Sequence, residues 1–162
     1  MMDLDPGQPN YNLAGQVALL RMSKYILTNA DFKEAEVIKG YYLNTPTPNL
    51  NMKYYQSCTA KLMDDFNEAP SDKKKVLIVN TCGWVEGLGA DIQMKIVTIL
   101  QPQIVVTMTK HNQGLQGNDF SRICRQKHGM GRYFDVVNDP IEGSTNVKGA
   151  VQRNRKVINA LA

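Results

Sequence analysis

Asp3 and Asp5 alternate with apolar residues in Met2-Asp3-Leu4-Asp5-Pro6-Gly7-Gln8, which reads as a strand end running into a Pro-Gly turn. In open α/β sheets ligands bind outside the C-terminal ends of parallel strands. A carboxylate there can hold Mg²⁺ or take a proton, and Gly7 lets backbone approach a ligand closely. Taken alone, the same string is also an ordinary Asp-Pro-Gly turn with solvated acids. Trp84 is the sole tryptophan and sits in the glycine-flanked string Gly83-Trp84-Val85-Glu86-Gly87. It offers a stacking platform, worth ~1–3 kcal/mol per stacked base in single-strand binding, or a cap on the core. Arg122 and Arg125, three apart, share a helix face. They could grip phosphates with bidentate contacts or form a solvated basic face. His111 and His128 lack carboxylate or cysteine partners at ligand spacing and read as surface residues. Cys58, Cys82 and Cys124 are odd in number and widely spaced, which suggests neither a disulfide framework nor a zinc site and fits a reducing compartment.

The elements that must position these residues follow from periodicity. Val17 to Met22 and Val37 to Leu43 read as strands, with an irregular connection over 23–35 and a loop at Asn44-Thr45-Pro46-Thr47-Pro48-Asn49 enforced by two prolines. Met52, Tyr55, Leu62, Met63 and Phe66 recur at helical spacing, so 51–67 is an amphipathic helix with Lys53, Lys61 and Asp64 outward. Val76-Leu77-Ile78-Val79-Asn80 is a continuous apolar run typical of a parallel strand covered on both faces, entered through Lys73-Lys74-Lys75, a solvated edge. A helix with Ile92, Ile96, Val97, Ile99 and Leu100 follows, then Pro102 and a strand from Ile104 to Met108. The order strand, loop, helix, strand predicts a right-handed βαβ unit with parallel strands. The ends at Asp5 and Asn80-Thr81 should then share one sheet edge, with the carboxylate and the Trp84 loop beside one cleft. Beyond a polar loop from Lys110 to Asn118, a short helix spans Asp119 to about Lys127. A turn follows at Asn138-Asp139-Pro140, and Val147 to Ala162 can form a basic amphipathic helix.

The 162 residues, 43% hydrophobic, suffice for one α/β core, and the net charge of +4 permits an anionic partner without resembling a polybasic arm. No apolar run approaches the ~20 residues of a membrane span, and the N-terminus lacks the order of a signal peptide. The expectation is a soluble intracellular protein without a membrane partner.

At these residues the chain resembles the polynucleotide 5′-hydroxyl kinases, a family that includes the pre-mRNA cleavage complex II subunit and the nucleolar pre-ribosomal-RNA kinases. The resemblance covers roughly residues 3 to 135. It rests on Asp3 to Gln8 at its distance before Gly15, on Thr47-Pro48-Asn49-Leu50-Asn51 followed by Tyr55, and on Val79-Asn80-Thr81-Cys82-Gly83-Trp84-Val85 with Gly87 and Gly89. Cys82 after Thr81, together with Asp119-Phe120, Arg122, Cys124, Arg125 and Tyr133-Phe134, looks more like the cleavage-complex branch. The resemblance implies a partial doubly wound parallel sheet of P-loop NTPase type over 1–135, with 136–162 as a tail of no matched role. It implies ATP and Mg²⁺ as cofactors, the 5′ end of single-stranded RNA and RNA-processing complex subunits as partners, and a nuclear location in mRNA 3′-end processing or tRNA splicing. It assigns Mg²⁺ binding and activation of the attacking hydroxyl to Asp5, completion of that motif to Gln8, an RNA clasp to Asn49, Leu50 and Asn51, and base stacking to Trp84. Arg125, and Arg122 with it, match the lid arginines that stabilise the transferring phosphoryl group.

The departures bear on activity. The sequence contains no G-x-x-x-x-G-K-[ST], the loop that supplies the backbone cradle, the phosphate-pairing lysine and the Mg²⁺-binding hydroxyl. The segment between Met108 and Asp119 is shorter than in the family, and Ser121 stands where a further basic residue is common. Two expectations follow: a partial RNA kinase chain that is inactive alone, or a non-catalytic RNA-binding or scaffold subunit. A sheet short of its neighbours should also leave Val76 to Asn80 with an uncovered apolar face and an unpaired edge.

Overall fold

The computed structural model describes residues 1–9, 11–23, 35–70, 75–110, 119–126 and 132–138. The chain divides into two compact units, Met1–Gln101 and Pro102–Ala162, where composition led us to expect one.

The first unit is a four-stranded sheet with two helices. Its strands are β1 (Met2–Leu4), β2 (Gln16–Met22), β3 (Ala35–Tyr42) and β4 (Val79–Thr81), in the order β3-β2-β1-β4. β1 pairs parallel with β4, placing Asp3 beside Asn80 and Leu4 beside Thr81. It pairs antiparallel with β2, and β2 antiparallel with β3. The sheet is therefore mixed, which corrects the expected parallel arrangement. The physical reason is the connection between β1 and β2, which contains no helix among its described residues, whereas parallel neighbours need a crossover, usually helical. β1 and the first part of β2 are buried, as befits the central strands, while β3 is largely exposed along its length.

β4 is shorter than the apolar run that announces it. Val76 is 80% exposed and Ile78 67%, so this run is not covered on both faces among the described residues, and β4 is an edge. This is the uncovered face and open edge expected of a sheet short of neighbours.

Helix α1 (Met52–Glu68) buries Tyr55, Cys58, Thr59 and Leu62, the i, i+3, i+4, i+7 stripe of an amphipathic helix. Asn51 caps its start, its side-chain oxygen accepting from the Tyr54 N–H at 3.3 Å. The Lys75 ammonium caps its end, donating to the carbonyls of Phe66, Asn67 and Ala69 at 2.7, 3.1 and 2.8 Å. Lys75 is thus a helix cap and not merely a solvated edge; Lys73 and Lys74 lie outside the described residues. Helix α2 (Leu88–Leu100) turns Ile92, Ile96 and Leu100 into the same core as Met2, Leu4, Val17, Leu19 and Leu62. It stops at Gln101, whose left-handed backbone (φ 45°) and N–H to the Val97 carbonyl close the last turn before Pro102.

The second unit pairs β5 (Ile104–Lys110) in parallel with β6 (Arg132–Asn138), with α3 (Asp119–Gln126) between them in sequence. Val105, Thr107, Phe120 and Cys124 are buried, and the Thr107 and Tyr133 hydroxyls share a 2.6 Å hydrogen bond. β5 joins β6 and not β4, so the expected crossover from β4 through α2 to β5 within one sheet is not what forms. β6 is a strand the sequence reading did not anticipate. The loop at 111–118, both histidines, the turn at 139–140, the tail helix and most of 23–35 fall outside the described residues.

Candidate functional site

Because β1 and β4 run parallel in register, the chain leaves both strands at the same sheet edge. Asp5 follows Leu4 there, and Cys82 follows Thr81. Between them lies an open cleft of about 530 Å³, lined by Asp5, Gly7, Gln8, Pro46, Thr47, Pro48, Cys82, Gly83 and Trp84. The expected pairing of acidic strand end and tryptophan loop is what the structure forms.

Asp5 is held by its own turn. Its Oδ1 accepts from the backbone N–H groups of Gly7 and Gln8, each at 3.0 Å, which fixes the carboxylate at the head of the loop. Gly7 passes so close to the Pro46 carbonyl oxygen that a Cβ would stand 2.8 Å from it. One turn carries the acid and the other the Pro46–Pro48 wall, and this glycine lets them meet. Asp3 is fully buried beneath. Its Oδ1 accepts from the Asp5 N–H at 3.2 Å and the Asn80 side-chain amide at 3.0 Å, so it ties β1 to β4 directly below the cleft.

Tyr55 reaches the same place from α1. Its hydroxyl donates to the Leu4 carbonyl at 2.8 Å, in the core, one residue before Asp5. Burial pushes the phenol well above its ordinary range, helped by charge at Cys82, Asp5 and Asp3, so it remains a neutral donor. The Cys82 thiol is also pushed up, first by burial and further by Asp5, against the opposing hydrogen bonds from the Trp84 N–H and Gln93. Gln93, 2% exposed on α2, donates to both the carbonyl and the sulfur of Cys82 at 2.9 Å. This polar side chain pins the loop that presents Trp84.

Trp84 packs on the core, as one of its two sequence readings expects, and also lines the cleft. It is half-buried against the core, its indole lies over Gly89, where a Cβ would come within 2.4 Å of the ring, and it lines the cleft. Asn49, Leu50 and Asn51 occupy a 3-10 turn, Pro48–Asn51, whose buried Pro48 is part of the cleft wall. Asn49 accepts from the Thr47 hydroxyl at 2.8 Å, Leu50 is 74% exposed, and Asn51 is engaged in capping α1. Arg122 and Arg125 lie in the second unit on α3, where Arg122 pairs with Asp119 at 2.7 Å.

Gln93 was not singled out by sequence reasoning, and Asp3 and Gly89 entered only as members of the quoted strings, with no role assigned to them. Gln93 left a signal, a polar residue in the apolar surroundings of Ile92 and Ile96. Among the described residues no group of three His, Cys, Asp or Glu side chains could hold a metal ion. Mg²⁺ in nucleotide sites is usually held by one or two carboxylates with phosphates and water, and Asp5 at the cleft fits that sparse donor set.

Residues 1–129 match the family model described as mRNA cleavage and polyadenylation factor CLP1 P-loop. The chain belongs to this family. It is 32% identical over 116 residues to "Polynucleotide 5'-hydroxyl-kinase GRC3" of Gibberella zeae, covering 68% of this chain and 16% of that protein. It is 29% identical over 114 residues to "Polyribonucleotide 5'-hydroxyl-kinase Clp1" of Rattus norvegicus, covering 66% of this chain and 26% of that protein. A GRC3 of Candida glabrata with the same kinase name is 30% identical over 108 residues, 65% of this chain and 17% of that protein. The chain thus spans about a quarter or less of these relatives, and both branches match at similar identity. Membership makes the sheet part of a P-loop NTPase fold, and the chain is a polynucleotide 5′-hydroxyl kinase relative without a glycine-rich phosphate loop in its own sequence.

Proposed function

We propose that the cleft between the β1 and β4 ends receives the 5′-hydroxyl end of single-stranded RNA, and that the whole protein is an ATP-dependent polynucleotide 5′-hydroxyl kinase of nuclear RNA processing. The observation that carries this reading is the convergence of Asp5, Gln8, Trp84 and the Pro48 turn on one cleft at the ligand edge of the sheet. Trp84 stacks on the terminal base. The Asn49-Leu50-Asn51 turn clasps the adjoining backbone, with Gln8 lining the same cleft. Asp5, its Oδ1 oriented by the Gly7 and Gln8 amides, takes the proton of the attacking hydroxyl and is the carboxylate that would hold Mg²⁺. Mg²⁺-ATP supplies the transferred phosphoryl group and neutralises its charge. Arg122 and Arg125 stabilise that charge. Residues 1–135 form the kinase portion of a doubly wound sheet in the whole protein, and 136–162 a tail, in a complex with other RNA-processing subunits.

One observation favours a second reading. No G-x-x-x-x-G-K-[ST] occurs in the 162 residues, so this chain alone lacks the motif that forms the nucleotide cradle, and a non-catalytic RNA-binding or scaffold subunit accounts for it equally. The two readings separate in one assay, transfer of labelled γ-phosphate to a 5′-hydroxyl oligoribonucleotide. We expect the chain alone to give background counts, and the same chain joined to any in-frame upstream glycine-rich loop encoded at its locus to give turnover. Transfer by the chain alone would refute the reliance on that loop, and inactivity of the extended protein would leave the scaffold reading.

A further inference from the structure

A second surface leads away from the cleft. The 3-10 turn that walls the cleft at Pro48 passes directly into α1. Four residues beyond the exposed Leu50 stands Tyr54, 40% exposed on α1, the helix that packs beside β3. Over the Tyr41 ring sit two ammonium groups, Lys39 at 6.0 Å and Lys61 at 5.9 Å. The exposed Tyr54 on α1, and the two lysines that meet over the partly buried Tyr41, thus lie on α1 and the exposed edge strand beside it. Neither lysine has a carboxylate partner among the ion pairs of the described residues. Acid begins at Asp64 and Asp65, one turn past Lys61 on the same helix.

We propose that this strip of surface carries the single-stranded RNA that continues 3′ of the bound end. The proposal rests on reading the cleft as the site of the 5′ terminus. The chemistry fits: the exposed Tyr54 ring offers stacking to any base, and the two lysines seated over Tyr41 neutralise the neighbouring phosphates. Lys39 and Lys61 hold the Tyr41 ring by cation–π contact and keep donors for phosphate oxygens. The eleven residue steps from Leu50, in the 3-10 turn, to Lys61 on α1 span about 16 Å at the helical rise, room for a few nucleotides. The acidic pair at Asp64 and Asp65 marks the far end by repulsion.

The test measures affinity of the full chain for a 5′-hydroxyl dinucleotide and an unstructured decanucleotide, using Lys39→Gln/Lys61→Gln and, in parallel, Trp84→Ala. The double lysine variant should bind the decanucleotide about tenfold more weakly, with a salt slope shallower by ~1.4 in log–log form, and the dinucleotide unchanged. Both substitutions lie at exposed positions, so far-UV dichroism and the unfolding midpoint should match the parent. Trp84→Ala should weaken both lengths alike. If the lysine variant binds the decanucleotide as tightly as the parent, the strip does not carry RNA and serves a protein partner or solvent; the proposal fails whatever Trp84→Ala does. If the lysine variant loses affinity while Trp84→Ala loses none, the strip stands and the cleft reading fails. Equal weakening of both lengths by the lysine variant, or no binding by the parent chain, overturns the path.

Discussion

Gly89 has no side chain because Trp84 fills the space one would need. In a helix, Gly→Ala ordinarily stabilises by up to ~1 kcal/mol, but here the new methyl would meet the indole at 2.4–2.6 Å. We therefore expect Gly89→Ala to destabilise the fold by about 1–3 kcal/mol through overpacking and to weaken RNA binding several-fold by turning the ring out of the cleft. Urea unfolding and RNA titration of the same variant check both effects. The sequence offered Trp84 as platform or core cap without deciding, because a string does not reveal what the ring packs against; the structure shows it against Gly89 and the core and at the cleft. A pH effect also belongs at this scale. Burial raises Tyr55 and Cys82 above their ordinary values of 10.0 and 9.0, so the folded state favours their neutral forms. Their contribution to stability is complete below about pH 9 and declines as pH rises beyond it, when only the unfolded chain ionises freely. The thermal midpoint should hold from neutral pH to about 9 and fall above it; a midpoint flat through the alkaline range would contradict this.

At the scale of elements, the parallel register of β1 and β4 decides where the site lies, and Asp3 with Asn80 helps to hold it. Replacing Asn80 by Ala removes one donor from a fully buried carboxylate. It should cost about 1–3 kcal/mol, read as a lower urea midpoint with an unchanged slope. Asp3→Asn combined with Asn80→Ala should recover part of the loss, since no buried charge is then left short of a donor. Much of this level was legible: α1 and α3, the β2 and β3 strands, and the common edge of Asp5 and Thr81 follow from local periodicity and turn residues. The antiparallel neighbours and β6 were not. Strand pairing is non-local, so Tyr133-Phe134 and Val136-Val137 declare β propensity without declaring a partner. Val76 to Ile78 reads as buried on both faces because an apolar run reports composition, while its exposure depends on which strands stand beside it.

For the whole molecule, charge and length said little, and the resemblance said most. A net charge of +4 permits RNA without demanding it, whereas the strings around Asp5, Asn49 and Trp84 pointed to one family and one cleft. The roles proposed for Arg122 and Arg125 rest on that resemblance alone, since two arginines on a helix face are common and Arg122 also has Asp119 to pair with. The chain covers a minor part of its relatives, and retention of the RNA-end site is therefore the central claim. Trp84 is the only tryptophan, so its intrinsic fluorescence reports the cleft alone. Titration with an unstructured 5′-hydroxyl oligoribonucleotide should quench this emission saturably, as a base stacks on the indole, and a blunt RNA duplex, its terminal base already paired, should not. Emission unchanged while the same RNA is shown bound by anisotropy would contradict the account.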